Sequence, residues 1–274
     1  MKTRIVTGLL FGLVLIGSIF LSEYSCALLL LVILAGSVHE FRRLLSPLEI
    51  QPQGLLTYLL NFSVFAACIF IPVAWQSAQL GQSELLLGGL FFTLLVLLIS
   101  TVEIFRKRKR PIENVAGTVF SAFYLALPLG LLFDASIDEE GAYAPVQVLF
   151  FFLFMWASDT GAYFSGMAFG KHKLLERISP KKTIEGLIGG IVLAMLTGVA
   201  AYYFIGRHSL PFWLASGALL ALIGTFGDLF ESMIKRQAGI KDSGNILPGH
   251  GGFLDRFDST FLSAPIYFFI IHAL

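Results

Sequence analysis

A run of carboxylates and cations near the C-terminal end has the residue types and spacing for phosphate chemistry. Asp228, Glu231, Ser232 and Lys235 fall at i, i+3, i+4 and i+7, which puts them on one face of a helix. Arg236 and Lys241 follow, then the glycine-rich run Pro248-Gly249-His250-Gly251-Gly252, then Asp255, Arg256 and Asp258. Glycine-rich backbone lets N–H groups come close to an anion. Carboxylates beside cations meet the needs of a metal–triphosphate site: hard oxygens hold Mg²⁺, and the metal and the cations neutralise the phosphates. A structural ion-pair ladder of Asp228 or Glu231 with Lys235 is the simpler alternative. Helix capping would account for one of Asp255 and Asp258. Neither explains why three aspartates gather with Lys235, Arg236, Lys241, His250 and Arg256. Zinc-type spacing is absent, with no Cys pair and no His-x-x-x-His.

Two upstream segments suit the same chemistry. Ser158-Asp159-Thr160-Gly161 sets an aspartate among small residues late in an apolar stretch, and packing alone does not explain Asp159. The segment from Lys171 to Thr183 carries Lys171, His172, Lys173, Ser179, Lys181 and Lys182, which fit phosphate contacts in a loop.

What must position these residues is a membrane bundle. Of 274 residues, 56% are hydrophobic and 14% charged, against about 25% charged in soluble domains. Neither a soluble globular fold nor disorder fits. Apolar segments run over 4–22, 25–45, 54–75, 84–105, 115–133, 145–166, 184–206, 211–233 and 257–273, each close to the ~20 residues of a crossing. The expected fold is all-α, a polytopic membrane helix bundle of about nine transmembrane helices, N-terminus cytoplasmic. With that orientation every Lys and Arg except Arg207 falls inside, and the acidic stretch Asp134–Glu140 falls outside. The first two segments also fit a re-entrant hairpin. The chain divides into an N-terminal transmembrane region, 1–114, and a C-terminal catalytic region, 115–274, within one integral-membrane unit. Glu40 and Glu103 sit at segment ends beside arginines and read as solvated or paired. Cys26 and Cys68 read as small core hydrophobes. The basic run Arg106–Arg110 reads as a topology determinant that would also attract anionic lipid. A transporter would carry its polar pathway to the outer side, and here the polar motifs crowd onto one face.

The stretch Ser232-x-x-Lys235-Arg236, Lys241-Asp242-x-Gly244 and Pro248-Gly249-His250-Gly251-Gly252-x-x-Asp255-Arg256-x-Asp258 resembles the signature of the phosphatidate cytidylyltransferases (CDP-diacylglycerol synthases). The segments around Asp159 and Lys181 resemble the family as well, so the likeness is specific over 156–260. The resemblance implies a reaction of CTP with phosphatidic acid that gives CDP-diacylglycerol and pyrophosphate. It implies Mg²⁺ dependence, with a second cation left open. It also implies a homodimer in the bacterial cytoplasmic (inner) membrane, its active site facing the cytoplasm, and no nucleic-acid partner. Carried onto this sequence, Asp228 and Asp255 become metal-binding and catalytic carboxylates, with Asp258 a further ligand and Lys241 a catalytic cation. Ser158, Asp159, Lys171, Ser179, Lys181, Lys182, Lys235, Arg236, His250 and Arg256 become substrate contacts. Another CTP-dependent lipid enzyme, a polyprenol kinase or an archaeal-lipid cytidylyltransferase, is the runner-up.

Overall fold

A computed structural model describes residues 2–76, 81–244 and 251–272, except the side chains at 2–7, 71–76, 82 and 83. The described chain is helical almost throughout: α1 (Lys2–Leu21), α2 (Glu23–Leu45), α3 (Gly54–Gln76), α4 (Gln82–Arg106), α5 (Pro111–Ser121), α6 (Leu127–Asp134), α7 (Pro145–Phe169), α8 (Ile184–Phe204), α9 (Leu210–Gln237) and α10 (Leu254–His272). These bounds follow the apolar segments closely. Among the described residues, six stretches are long and apolar enough to cross a membrane: Glu23–Leu48, Glu84–Arg106, Pro111–Asp134, Pro145–Phe169, Ile184–Phe204 and Leu210–Gln237. Shorter apolar stretches, Gly8–Leu21 and Gly54–Phe70, lie in α1 and α3. The protein is a multi-pass membrane bundle.

Local chemistry explains the breaks. A single residue, Ser22, separates α1 from α2: its hydroxyl accepts the Ser25 N–H at 3.1 Å, and the Ser25 hydroxyl accepts the Ser22 N–H at 3.0 Å. This reciprocal capping box starts a new helix. Between α5 and α6 the rod continues through a π turn, Ala122–Ala126, in which the Leu127 N–H reaches the Ala122 carbonyl. Pro128 follows at once; it lacks an N–H for the regular ladder, and the wider turn accommodates it.

The tightest packing joins α7, α8 and α9. At Gly161 an added Cβ would land on the Gly189 backbone, so the two helix backbones touch there. Small residues are how helices associate where lipid removes the hydrophobic drive. Trp213 of α9 is fully buried and stacks on Phe154 of α7, ring centres 6.4 Å apart. One apolar core runs from Leu15 and Ile33 in α1 and α2 to Phe257 and Tyr267 in α10, across both halves of the chain.

Between α7 and α8 the expected loop is instead an antiparallel hairpin, β1 (Lys173–Leu175) and β2 (Ser179–Thr183), with Lys173 opposite Thr183. Thr183 ends the strand and caps α8, its hydroxyl accepting the Gly186 N–H at 3.1 Å. At the far end of the bundle Arg207, the one basic residue expected outside, pairs with Glu139 at 2.9 Å. Both cysteines are free.

Candidate active site

A cavity of about 420 Å³ opens between α7, the hairpin and α9. Ser158 and Asp159 line it from α7, Lys181 and Lys182 from β2, and Thr225 and Asp228 from α9. Alternation along β2 would separate neighbouring side chains, yet Lys181 and Lys182 both line the cavity. Lys182 Nζ lies 2.6 Å from Asp228 Oδ2. The other Asp228 oxygen accepts the Ser232 hydroxyl at 3.1 Å. The cation facing Asp228 therefore comes from the hairpin, not from Lys235 on its own helix.

Lys235 is 7% exposed and bridges two carboxylates. Its ammonium donates to Glu231 Oε2 at 2.9 Å and to Asp255 Oδ1 at 2.7 Å. The helical ladder and the convergence with the downstream aspartate are both present. Asp255 also caps: its Oδ2 accepts the N–H groups of Ser243, at 2.9 Å, and Gly252, at 3.0 Å. Three of its roughly four acceptor positions are filled.

Behind this pair lies an excess of negative charge. Asp258 is within electrostatic reach of Asp228, Glu231 and Asp159. Glu231 is fully buried, and its Oε1 has no hydrogen-bond partner among the described residues. The buried Tyr124 hydroxyl, from the π turn, is equally unpartnered and feels Glu231, Asp258 and Asp228. Among the described residues no three Asp, Glu, His or Cys side chains stand close enough to form a ready-made metal cage. The hard oxygens still suit a divalent cation. Asp228 and Asp255 each already hold a positive group, and an orphaned carboxylate oxygen remains beside them.

The other candidate residues divide. Arg256 is exposed and within electrostatic reach of Asp159. Arg236 does not line the cavity; its guanidinium donates to the carbonyls of Ile178, at 3.4 Å, and Ile240, at 3.1 Å, and so ties the hairpin to the end of α9. Lys171 is exposed, and its backbone N–H donates to Glu185 Oε2 at 3.1 Å. Ser179 opens β2 away from the cavity wall. Lys241 is exposed. His250, with 245–249, lies outside the described residues.

Of three further groups near the site, one was anticipated, one carried no signal and one was expected in a different setting. Glu231 was legible as part of the helical stripe. Tyr124 gave no signal, because nothing local marks a tyrosine whose neighbours come from α9 and α10. Glu40, expected to be solvated or arginine-paired, is 1% exposed and bonded to Ser243 and Leu254 instead. Glu103 does pair with Arg106, at 2.6 Å, but is buried as well.

Comparison with known proteins shows relatives along the length of the chain. The profile of the Cytidylyltransferase family matches residues 2–274. The phosphatidate cytidylyltransferase of Staphylococcus aureus (strain COL) is 40% identical over 171 residues, which is 62% of this chain and 64% of that protein. The matched stretch thus spans just under two thirds of that relative. The phosphatidate cytidylyltransferase of Bacillus subtilis (strain 168) is 30% identical over 274 residues, 99% of this chain and 97% of its own. That of Staphylococcus haemolyticus (strain JCSC1435) is 35% identical over 221 residues, 80% and 82% of the two chains. With the family profile matched from residue 2 to the last residue, this chain belongs to the cytidylyltransferase family.

Proposed function

We propose that the protein is a phosphatidate cytidylyltransferase. It transfers CMP from CTP to phosphatidic acid and releases CDP-diacylglycerol and pyrophosphate. The observation that carries this reading is a pair of lysine-held aspartates in a membrane bundle: Lys182–Asp228, which lines the cavity, and Lys235–Asp255, which meets the same helix, α9, through Lys235. Relatives of that name over most of the chain support it.

In the proposed reaction a phosphatidate oxygen attacks the α-phosphorus of CTP. A new P–O bond forms there, the bond to the β-phosphate oxygen breaks, and pyrophosphate leaves. The nucleophile is already an anion near neutral pH, so the chain needs no strong base. Its task is to bring two polyanions together in line. Lys181 and Lys182 line the cavity and can take phosphate oxygens, while Ser158 and Thr225 offer hydroxyls. Lys235 holds Asp255 in place from a buried position. Asp228, Asp255 and Asp258 are the residues that would hold Mg²⁺. The ion would neutralise phosphate charge and stabilise the leaving group.

The membrane setting supports the same reading. The basic segments near 42, 106–110, 171–182 and 235–256 fall in alternate connections between the apolar segments, and by the positive-inside rule that side would be cytoplasmic. CTP would then enter from the cytoplasm of a bacterium, and phosphatidate would enter laterally with its acyl chains still in the bilayer. A homodimer is part of the proposal. Purified protein given radiolabelled CTP and phosphatidate tests the reading, with the released phosphate identified. CDP-diacylglycerol with pyrophosphate is expected, and chelation of divalent ions should stop its formation until Mg²⁺ is restored. Release of CDP would instead make the protein a lipid kinase.

A further inference from the structure

Glu40 stands apart from the cavity, on α2 in the N-terminal half, yet it touches the most specific stretch of the C-terminal half. Its Oε2 accepts the Leu254 N–H at 2.8 Å and the Ser243 hydroxyl at 3.2 Å. The residues on either side fit around it. A Cβ at Gly244 or Gly252 would land on the Glu40 carboxylate, and a Cβ at Gly36, one turn earlier on α2, would land on the Phe253 ring. This face of α2 is thus fitted to Ser243, Gly244 and the start of α10. The partners of Glu40 are backbone and hydroxyl donors, not the adjacent Arg42 and Arg43.

These bonds close a ring on Asp255. Ser243 gives its hydroxyl to Glu40 and its N–H to Asp255 Oδ2. Gly252, packed on Glu40, gives its N–H to the same Asp255 oxygen. Leu254 begins α10, and its N–H would lack a partner within the helix; Glu40 supplies one across the bundle. The residue after it is Asp255, whose free oxygen meets Lys235. Hydrogen bonds to a carboxylate are among the stronger kind, and here both fall on Oε2, while Oε1 is buried with no hydrogen-bond partner among the described residues.

We infer that Glu40 is a positioning residue: by holding Ser243 and the first turn of α10 it aims Asp255 at Lys235. The inference rests on the reading of this site as a cytidylyltransferase centre. Glu40 does not touch substrate in this account and acts through Asp255. Groups that orient a ligand or catalytic carboxylate typically matter by about 10- to 100-fold in activity. A helix staple with no catalytic consequence would instead change the folded fraction alone.

The test uses the full chain in lipid nanodiscs, with kcat and the KM for CTP normalised to folded protein. Glu40→Ala should lower kcat by about 10- to 100-fold, with a smaller change in KM. Glu40→Gln, which keeps an acceptor oxygen, should recover most of the rate. Gly252→Ala should lower kcat too, and Glu40→Ala combined with Gly252→Ala should be no slower than Glu40→Ala alone, because the added methyl no longer meets a carboxylate. Hydrogen exchange at the Leu254 amide, which needs no substrate, should speed up in Glu40→Ala and stay slow in Glu40→Gln. An unchanged kcat in Glu40→Ala, additive losses in the double variant, or wild-type exchange at Leu254 would each overturn the inference. If Glu40→Ala does not fold, Glu40→Gln and Gly252→Ala decide: a slow Gln variant or a fast Gly252→Ala variant overturns it. A wild-type protein that forms no CDP-diacylglycerol, while the exchange pattern holds, would sink the reaction and leave the geometry standing.

Discussion

Two buried carboxylate clusters lie toward the same end of the bundle, and they are satisfied in different ways. In the N-terminal half, Glu103 of α4 accepts from Arg106 at 2.6 Å, from the Asn114 amide at 2.6 Å and from the Gln53 amide at 2.9 Å. Gln53 also donates to the Ile99 carbonyl at 2.6 Å, and Arg106 to the Gln51 carbonyl at 3.0 Å. One charge there meets one opposite charge and two neutral amides. In the C-terminal half, Asp159, Asp228, Glu231, Asp255 and Asp258 crowd around Lys182 and Lys235, and Glu231 keeps an unpartnered oxygen. The first cluster is balanced in charge, although the Gln53 Oε1 has no partner among the described residues, and it works as a clasp for α4, a helix with little of its surface covered. Among the described residues the second gathers five carboxylates around two lysines, with Arg256 within electrostatic reach of Asp159. Such an imbalance is costly to bury, and it suits a site that waits for cations and phosphates.

If this contrast is right, the two clusters should fail differently. Asp228→Asn or Asp255→Asn should leave a folded membrane protein whose CDP-diacylglycerol formation falls by at least about 100-fold. Near-normal turnover would put these aspartates in the same class as Glu103. Lys182→Met should come next, with a loss of about 10- to 100-fold in kcat/KM for CTP, because Asp228 loses its 2.6 Å partner and the cavity loses a cation. Glu103→Ala should act on stability instead. It strands Gln53 and Asn114 in the bundle, so thermal unfolding in detergent should show a loss of about 1–3 kcal/mol, with turnover per folded molecule unchanged. A kinetic defect at constant stability would erase the distinction. Lys109→Ala should do least. Lys109 lies 2.5 Å from Glu49 in full solvent and holds that carboxyl below its usual range. Its removal should let Glu49 titrate at a higher pH, detectable by NMR, without moving the unfolding midpoint.

Much of this architecture can be read from the chain before any coordinates. The apolar segments become helices within a few residues of their expected ends, because a membrane span has a fixed length and polar residues are expelled from it. The stripe Asp228, Glu231, Ser232 and Lys235 is real because helical spacing is local: Ser232 meets Asp228 and Lys235 meets Glu231 within one turn. What escapes is the bonding between elements that no motif links. Lys182 reaches Asp228 from another element, and Glu40 reaches Leu254 from the far end of the chain. The hairpin at 173–183 was hidden by its own composition, since Pro180 and three lysines look like solvated loop. Glu40 and Glu103 had identical local signals, an acid beside arginines, and only the fold separates them.

The meeting of α2 with the start of α10 also bears on how freely the two halves of this protein can be exchanged. Gly36 and Glu40 receive Phe253, Ser243 and Leu254 in a fitted seat. Residues 115–274 hold the whole recognisable motif, yet expressed alone they would lack that seat. A chimera that grafts the C-terminal half onto the N-terminal helices of a distant relative should function only when the recipient has a small residue and an acid four positions apart at the matching turn. Modularity in this bundle is therefore limited by a single helix face, and α2 has to be inherited together with the motif it supports.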